Sequence, residues 1–429
     1  MASETPASTL WLTRHLPGTG GRIKVEYEDF QVTEIPLYAP CGQGEHTFFE
    51  IEKRGLPTMR AVEEIARALR VRPFQLGFAG LKDAHAVARQ VLSVEHVPPE
   101  RVLALELPGI RVLWAKRHTN KLKQGHLAGN RFVIRIRDVP PDALERARPI
   151  LETLQRRGVP NYFGEQRFGR RQDTHLLGRA ILRGDAEAFL QEFLGRPQPD
   201  ELPAVLEARR LYDAGQLQAA LRAWPPQFHE ERRALEVLLR SPAAEAPVRA
   251  LYSVSKRLRR FFVSAYQSYL FNRVMAERLE TLDVLFAGDV AYKHDSGGAF
   301  LVEDPTLEQP RADRFEISPS GPLYGYRMLM AEGRQGELER RVLAEEGLTL
   351  EDFKRAEGLR LKGGRRPLRF PIMDVDVWYD AGLVLAFTLP PGCYATNVLA
   401  EVMKTSPEET GAEQEETGQE LSEEEEGEI

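Results

Sequence analysis

Only two of the 429 residues are cysteine, Cys41 and Cys393, far apart and outside any CxxC pair. That excludes a disulfide framework and a cysteine-rich zinc site, and it fits a reducing cytosol. No run of eighteen apolar residues occurs, and the start MASETPASTLWLTRHL lacks the charged, apolar and small-residue regions of a signal peptide; membrane insertion and secretion are not expected, and a cytoplasmic location is. The sequence also has no GxxxxGK[ST], no GxGxxG after a strand, no HExxH and no GxSxG, which removes the common nucleotide, metalloprotease and serine-hydrolase sites. Its nine histidines do not combine with cysteine at ligand spacing, and H-x-E with P-C-x-x-C is missing, so zinc deaminase chemistry is excluded as well. No cofactor and no metal is called for.

The formal net charge of −6 argues against a nucleic-acid partner until the end of the chain is set apart. Residues 405–429 hold eleven Glu and no Lys or Arg, and without them the balance is +5. Bases cluster in the remainder: Lys116, Arg117, Lys121 and Lys123; Arg167, Arg170 and Arg171; Lys256, Arg257, Arg259 and Arg260; Lys362, Arg365, Arg366 and Arg369. Such groups can follow a phosphate backbone, and each can equally be a solvated face. The acidic tail has too little apolar content to offset chain entropy and is expected to be disordered.

With 42% hydrophobic residues the chain can bury more than one core. Its first 55 residues read as strands and turns, with KVEYEDFQVTEI (24–35) alternating. A helix follows, with Thr58 placed to cap it and Val62, Ile65, Ala66 and Leu69 on one face. GFAGLKDAHAVARQVLSVEHV (77–97) suggests a loop between helix and strand, where a reactive group is displayed. RFVIRIRDV (131–139) alternates with Phe132, Ile134 and Ile136 inward and a basic opposite face, and residues 141–157 form a helix. Helical periodicity then dominates from 173 to 280, and FPIMDVDVWYDAGLVLAFTLP (370–390) returns to strand character. The expected architecture is a mixed α/β domain from 1–160 and 363–404, interrupted by a largely helical insertion at 161–362.

Several dense glycine and aromatic segments exceed what core packing demands: KVEYEDF (24–30), GFAGLKDAHAVARQ (77–90), HLAGNRF (126–132), PNYFGEQRFG (160–169), SAYQSYLFN (264–272) and LPPGCYATNVLAEVM (389–403). In type and order they are similar to the signature segments of the TruD family of tRNA pseudouridine synthases. GLKD alone is a weak signal; six ordered segments, spanning about 22–404, are a strong one.

The resemblance implies a cofactor-free isomerase, a monomer acting on folded tRNA, with the uridine at tRNA position 13 as its target. It places Asp83 as the nucleophile, Lys24 as the lysine that pairs with it, Phe30 as an aromatic residue stacking on the extruded uracil, and Phe132 as an apolar wall where most other pseudouridine synthases carry a tyrosine. Asn130 is expected to hold the active-site loop through its side chain, Lys82 and His85 to touch the substrate, and Arg167 to contact a phosphate. Plainer roles stand beside these: a turn residue for Asp83, core packing for Phe30, a strand-entry residue for Asn130, hinge packing for Arg167. Two positions depart from the family, Ala84 where relatives often have a base and Cys393 in place of a serine. A noncatalytic RNA-binding protein and an RNA methyltransferase are the rival readings; the intact set of Lys24, Asp83, Asn130 and Phe132 argues against the first, and the missing glycine-rich nucleotide loop against the second.

Overall fold

A computed structural model describes residues 10–356, 358–359 and 361–405. The expectation of disorder at the acidic end therefore lies, from residue 406 on, outside the described residues. The chain divides into two compact units, one holding Trp11–Val159 and the chain from Phe370 on, the other Pro160–Arg369.

The first unit is built on an eight-stranded mixed sheet. Its strands are β1 (Phe30–Pro36), β2 (His46–Arg54), β3 (Leu76–Phe78), β4 (Val87–Glu95), β5 (Ile110–His118), β6 (Leu127–Ile136), β7 (Met373–Tyr379) and β8 (Leu383–Leu389). They run in the order β7-β8-β6-β1-β4-β2-β5, with β3 also on β4. The β1–β4 pair is parallel, and the other pairs are antiparallel. β4 serves two partners along one edge, β1 at Val87–Arg89 and β3 at Leu92–Val94. The loop of residues 79–86 joins β3 to β4, so the expected connection from a helix is preceded by a short strand.

Period-two alternation puts Phe49 and Ile51 of β2 against the helix Thr58–Leu69, whose Val62, Ile65, Ala66 and Leu69 are buried as their spacing predicts. Thr58 does not cap that helix. Pro57 is the cap residue, and the Thr58 hydroxyl, one position inside, is turned to other partners. On β6 the inward Phe132, Ile134 and Ile136 are buried. The opposite, basic face is not bare: Arg137 Nε and Nη2 donate to Asp29 at 2.6 and 2.8 Å, and Arg135 Nη1 adds a 3.4 Å contact. Burial raises the Asp29 carboxyl, but the hydrogen bonds from Arg137, the Glu26 N–H and Arg135, with the Arg137 charge, together outweigh it and hold the group below its ordinary value. β8, wholly buried between β6 and β7, comes from the end of the chain and completes the sheet.

In the unit Pro160–Arg369 seven helices run from Thr174 to Arg278, the longest being Lys256–Arg278. It crosses the helix Thr174–Arg183 at Gly178, where a Cβ would fall 2.1 Å from the Phe262 carbonyl oxygen. The largely helical expectation omits a four-stranded antiparallel sheet of Gly364–Pro367, Ile317–Leu323, Val290–Lys293 and Ala299–Leu301. Its longest strand, ISPSGPL, consists largely of turn-forming residues and gives no strand signal.

His294 follows the third of these strands and shares a 2.9 Å hydrogen bond with Ser318. Burial, aided by the Arg369 guanidinium, pushes its imidazole from 6.5 down to about 4. The unfolded chain then takes up the proton first, so the stabilisation is complete above about pH 6.5 and is lost as the pH falls from there to about 4. Between pH 7 and pH 5 the wild type should lose about 2 kcal/mol more unfolding free energy than His294→Gln, as measured by urea titration at both pH values.

Candidate active site

The loop 79–86 is fixed from several sides. A Cβ on Gly77, just before it, would sit 2.2 Å from the Leu122 carbonyl oxygen, so only glycine permits that approach. Within the loop, the Ala79 carbonyl accepts from the Gly125 N–H at 2.9 Å. The Lys82 N–H donates to the Thr58 hydroxyl at 2.9 Å, and that hydroxyl donates to Gln90 Oε1 at 2.9 Å. The fully buried Lys53 ammonium donates to the carbonyls of Asp83 at 2.9 Å, Lys82 at 3.2 Å and Leu56. A buried cation is tolerated only when its donors are met, and here two of the acceptors belong to the loop itself.

The side chain of Lys82 turns inward. Its ammonium lies 2.7 Å from Glu34 Oε2, with the two side chains 4% and 1% exposed. Glu34 Oε1 accepts from the Val91 N–H at 3.2 Å, between the stretches of β4 that pair with β1 and with β3. The ammonium of Lys82, expected to touch the substrate, is engaged in a buried ion pair that anchors the loop.

Asp83, one residue on, is displayed with its side chain 34% exposed. Its Oδ1 accepts from the His85 N–H at 2.9 Å, which is a turn contact, and its Oδ2 is ion-paired with the Lys24 ammonium. Lys24 has φ +55, a left-handed conformation that costs an L-residue about 1–2 kcal/mol. The same ammonium stands 5.0 Å from the centre of the Phe30 ring. Phe30 meets Phe132 edge to face at 6.2 Å, and Phe132 lies 5.5 Å from Phe387, its cross-strand partner on β8. Phe30 and Phe132 are 5% and 8% exposed, so they form a wall rather than an open platform.

Asn130 lies opposite Glu34 and Leu389 on β6. Its Oδ1 is buried without a hydrogen-bond partner among the described residues. Through that oxygen the expected tie to the loop is not made among the described residues; Thr58 and Lys53 hold the loop backbone. Arg167 belongs to the other unit, where Nε donates to Ser268 at 3.2 Å, Nη2 donates to Ser264, and the guanidinium lies near the Phe163 and Phe261 rings. That guanidinium ties the segment to the helix Lys256–Arg278. The fourth basic cluster is partly interior too: Arg365 pairs bidentately with the buried Glu339, and Arg369 is 1% exposed. Among the described residues no group of three or more His, Cys, Asp and Glu side chains is arranged to hold a metal ion, and no helix is long and apolar enough to cross a membrane.

The result is a carboxylate on a rigid loop, set against an ammonium and an apolar aromatic wall, an arrangement suited to attack on a planar substrate shielded from water. The family profile of tRNA pseudouridine synthase D (TruD) matches residues 8–402. The chain belongs to the TruD family. It is 52% identical to tRNA pseudouridine synthase D of Geobacter metallireducens, over 92% of this chain and 97% of the relative. With the protein of that name from Anaeromyxobacter dehalogenans it shares 38% identity, over 93% and 97%. The crystal structure of the putative TruD of Methanosarcina mazei superposes with a TM-score of 0.85 at 29% identity, covering 94% of this chain and 97% of that one.

In this TruD member the site depends on residues that the sequence reading passed over: Lys53, Glu34, Gln90 and the inner role of Thr58. A signal for two of them was present. Glu34 continues the inward series Phe30, Val32, and Lys53 continues Phe49, Ile51, so each places a charge where alternation demands an apolar side chain. Lys53→Met strands loop carbonyls that cost about 1–3 kcal/mol each when unsatisfied. Its expected signature is at least roughly tenfold faster amide exchange across residues 79–86, with smaller changes in the helix Thr58–Leu69, read by hydrogen-exchange mass spectrometry.

Proposed function

We propose that the chain isomerises a uridine of tRNA, the one at position 13, to pseudouridine, with Asp83 as the nucleophile. It acts as a monomer in the cytoplasm. The observation that carries this reading is the Asp83 carboxylate, held on a clamped loop against Lys24 and beside the wall of Phe30 and Phe132.

A uridine inside folded RNA must leave its stack to reach that carboxylate, at a cost of a few kcal/mol. Phe30 and Phe132 offer the extruded uracil an apolar contact and exclude water from the detached base. Asp83 attacks the nucleoside, the N1–C1′ bond breaks, the uracil turns, C5 joins C1′, and the bond to Asp83 breaks to return the free carboxylate. The C5 proton is lost and N1 gains one, so substrate and product have the same atoms and no co-substrate enters the balance. Lys24 stabilises the carboxylate by direct ion pairing, and Lys82, Glu34, Lys53 and Thr58 hold the backbone that aims it. Asn130 Oδ1 stays available as an acceptor beside the wall.

Purified protein without added cofactor should convert one uridine of an unmodified tRNA transcript, mapped by carbodiimide-directed primer extension, and Asp83→Asn should convert none while still binding the transcript. A wild type that binds tRNA and never converts it would refute the catalytic reading and leave an RNA-binding protein.

A further inference from the structure

The single turn Tyr27–Asp29 precedes β1 and is pinned at two points, Asp29 by Arg137 and Glu28 by Arg54. Between them these contacts set the Tyr27 ring. Its centre lies 4.7 Å from that of the His85 imidazole and 4.6 Å from the Arg54 guanidinium carbon. A Cβ on Gly55 would come within 2.9 Å of Tyr27 Cζ, so the ring rests directly against the turn that ends β2. Three flat groups from three separate segments thus lie in one contiguous series. Arg54 pairs with Val87 across the β2–β4 ladder, which brings the end of β2 to the end of the nucleophile loop.

The series starts at the reactive group, because the His85 N–H is the donor to Asp83 Oδ1. Among the described residues the His85 imidazole makes no hydrogen bond, and its ring partner is Tyr27. Arg54, its side chain 51% exposed, has both Nε and Nη2 on the Glu28 carboxylate at 2.7 and 3.2 Å. Its charge is matched, and it presents a plane rather than a free phosphate ligand.

Extruding a uridine strips one stacking face from each neighbouring base, and single-stranded bases are held by stacking on aromatic rings and guanidinium planes. We propose that His85, Tyr27 and Arg54 form a stacking subsite for a nucleotide adjacent to the target uridine. The subsite rests on the function proposed above and assigns a substrate-binding role to Tyr27 and Arg54. Binding there works through ring faces and not through charge, so its contribution does not follow the salt dependence of phosphate contacts.

The test uses synthetic tRNA with an abasic nucleotide placed immediately 5′ or 3′ of the target uridine, and compares kcat/KM with that for intact tRNA in wild type, Tyr27→Leu, His85→Leu and Tyr27→Phe. One of the two abasic substrates should lower wild-type kcat/KM roughly ten- to hundredfold, by an amount unchanged between low and moderate salt. In Tyr27→Leu and His85→Leu the same abasic site should add little further loss, the non-additivity expected of groups in contact, while Tyr27→Phe, which keeps the ring, retains the wild-type abasic penalty. Each ratio is taken within one protein, so a general loss of stability in a variant cancels. An abasic penalty in the Leu variants equal to that of wild type overturns the subsite while leaving the proposed function intact. Absence of conversion of intact tRNA by wild type removes the function and the subsite with it.

Discussion

A buried ammonium organises this protein's candidate chemistry. Lys53 reaches up from the core face of β2 and gathers the carbonyls of Leu56, Lys82 and Asp83, so the backbone of the loop 79–86 is bound to the sheet by a buried charge. The Lys82–Glu34 pair repeats the device from the side-chain direction, one residue before the carboxylate. Breaking one partner of such a pair is far more damaging than its net stabilisation suggests, since the other charge is left stranded. A reactive loop surrounded by its own glycines gains order in this way without surrendering the exposure of Asp83.

The wall beside it follows from strand alternation alone. Phe30 and Val32 on β1, Phe132 on β6 and Phe387 on β8 face the same side because cross-strand partners share a face. Lys24, which pairs with Asp83, is held in a left-handed conformation. Strain of that kind collects at functional positions because the surroundings over-determine it.

Much of this was readable from residues. The inward face of RFVIRIRDV and the apolar stripe of the helix after Pro57 obey simple periods, and the return to strands after residue 370 shows in the apolar run that becomes β8. Glu34 and Lys53 break that pattern legibly, each a charge at an inward, buried position. Thr58 was misread because its type suits a cap and its true partners, Lys82 and Gln90, are remote in sequence. The arginines of the basic clusters looked alike on paper, yet Arg365 and Arg369 are interior while Arg170 is exposed. Only tertiary partners separate them. The four-stranded sheet near Ile317–Leu323 was illegible because proline, serine and glycine dominate its longest strand.

The place of β8 in the sheet has a consequence for how the chain is made. β6 leaves the ribosome with β1 on one edge and nothing on the other, for the strand that covers Asn130 and Phe132 is encoded roughly 250 residues later. At an elongation rate of about 5–20 residues per second, that edge waits on the order of 10–50 s for its neighbour. An open strand edge of that age is a template for pairing with other nascent chains. Of the arginines on the outward side of β6, Arg137 has its partner Asp29 already made, whereas Arg135 meets Asp380 only after that interval.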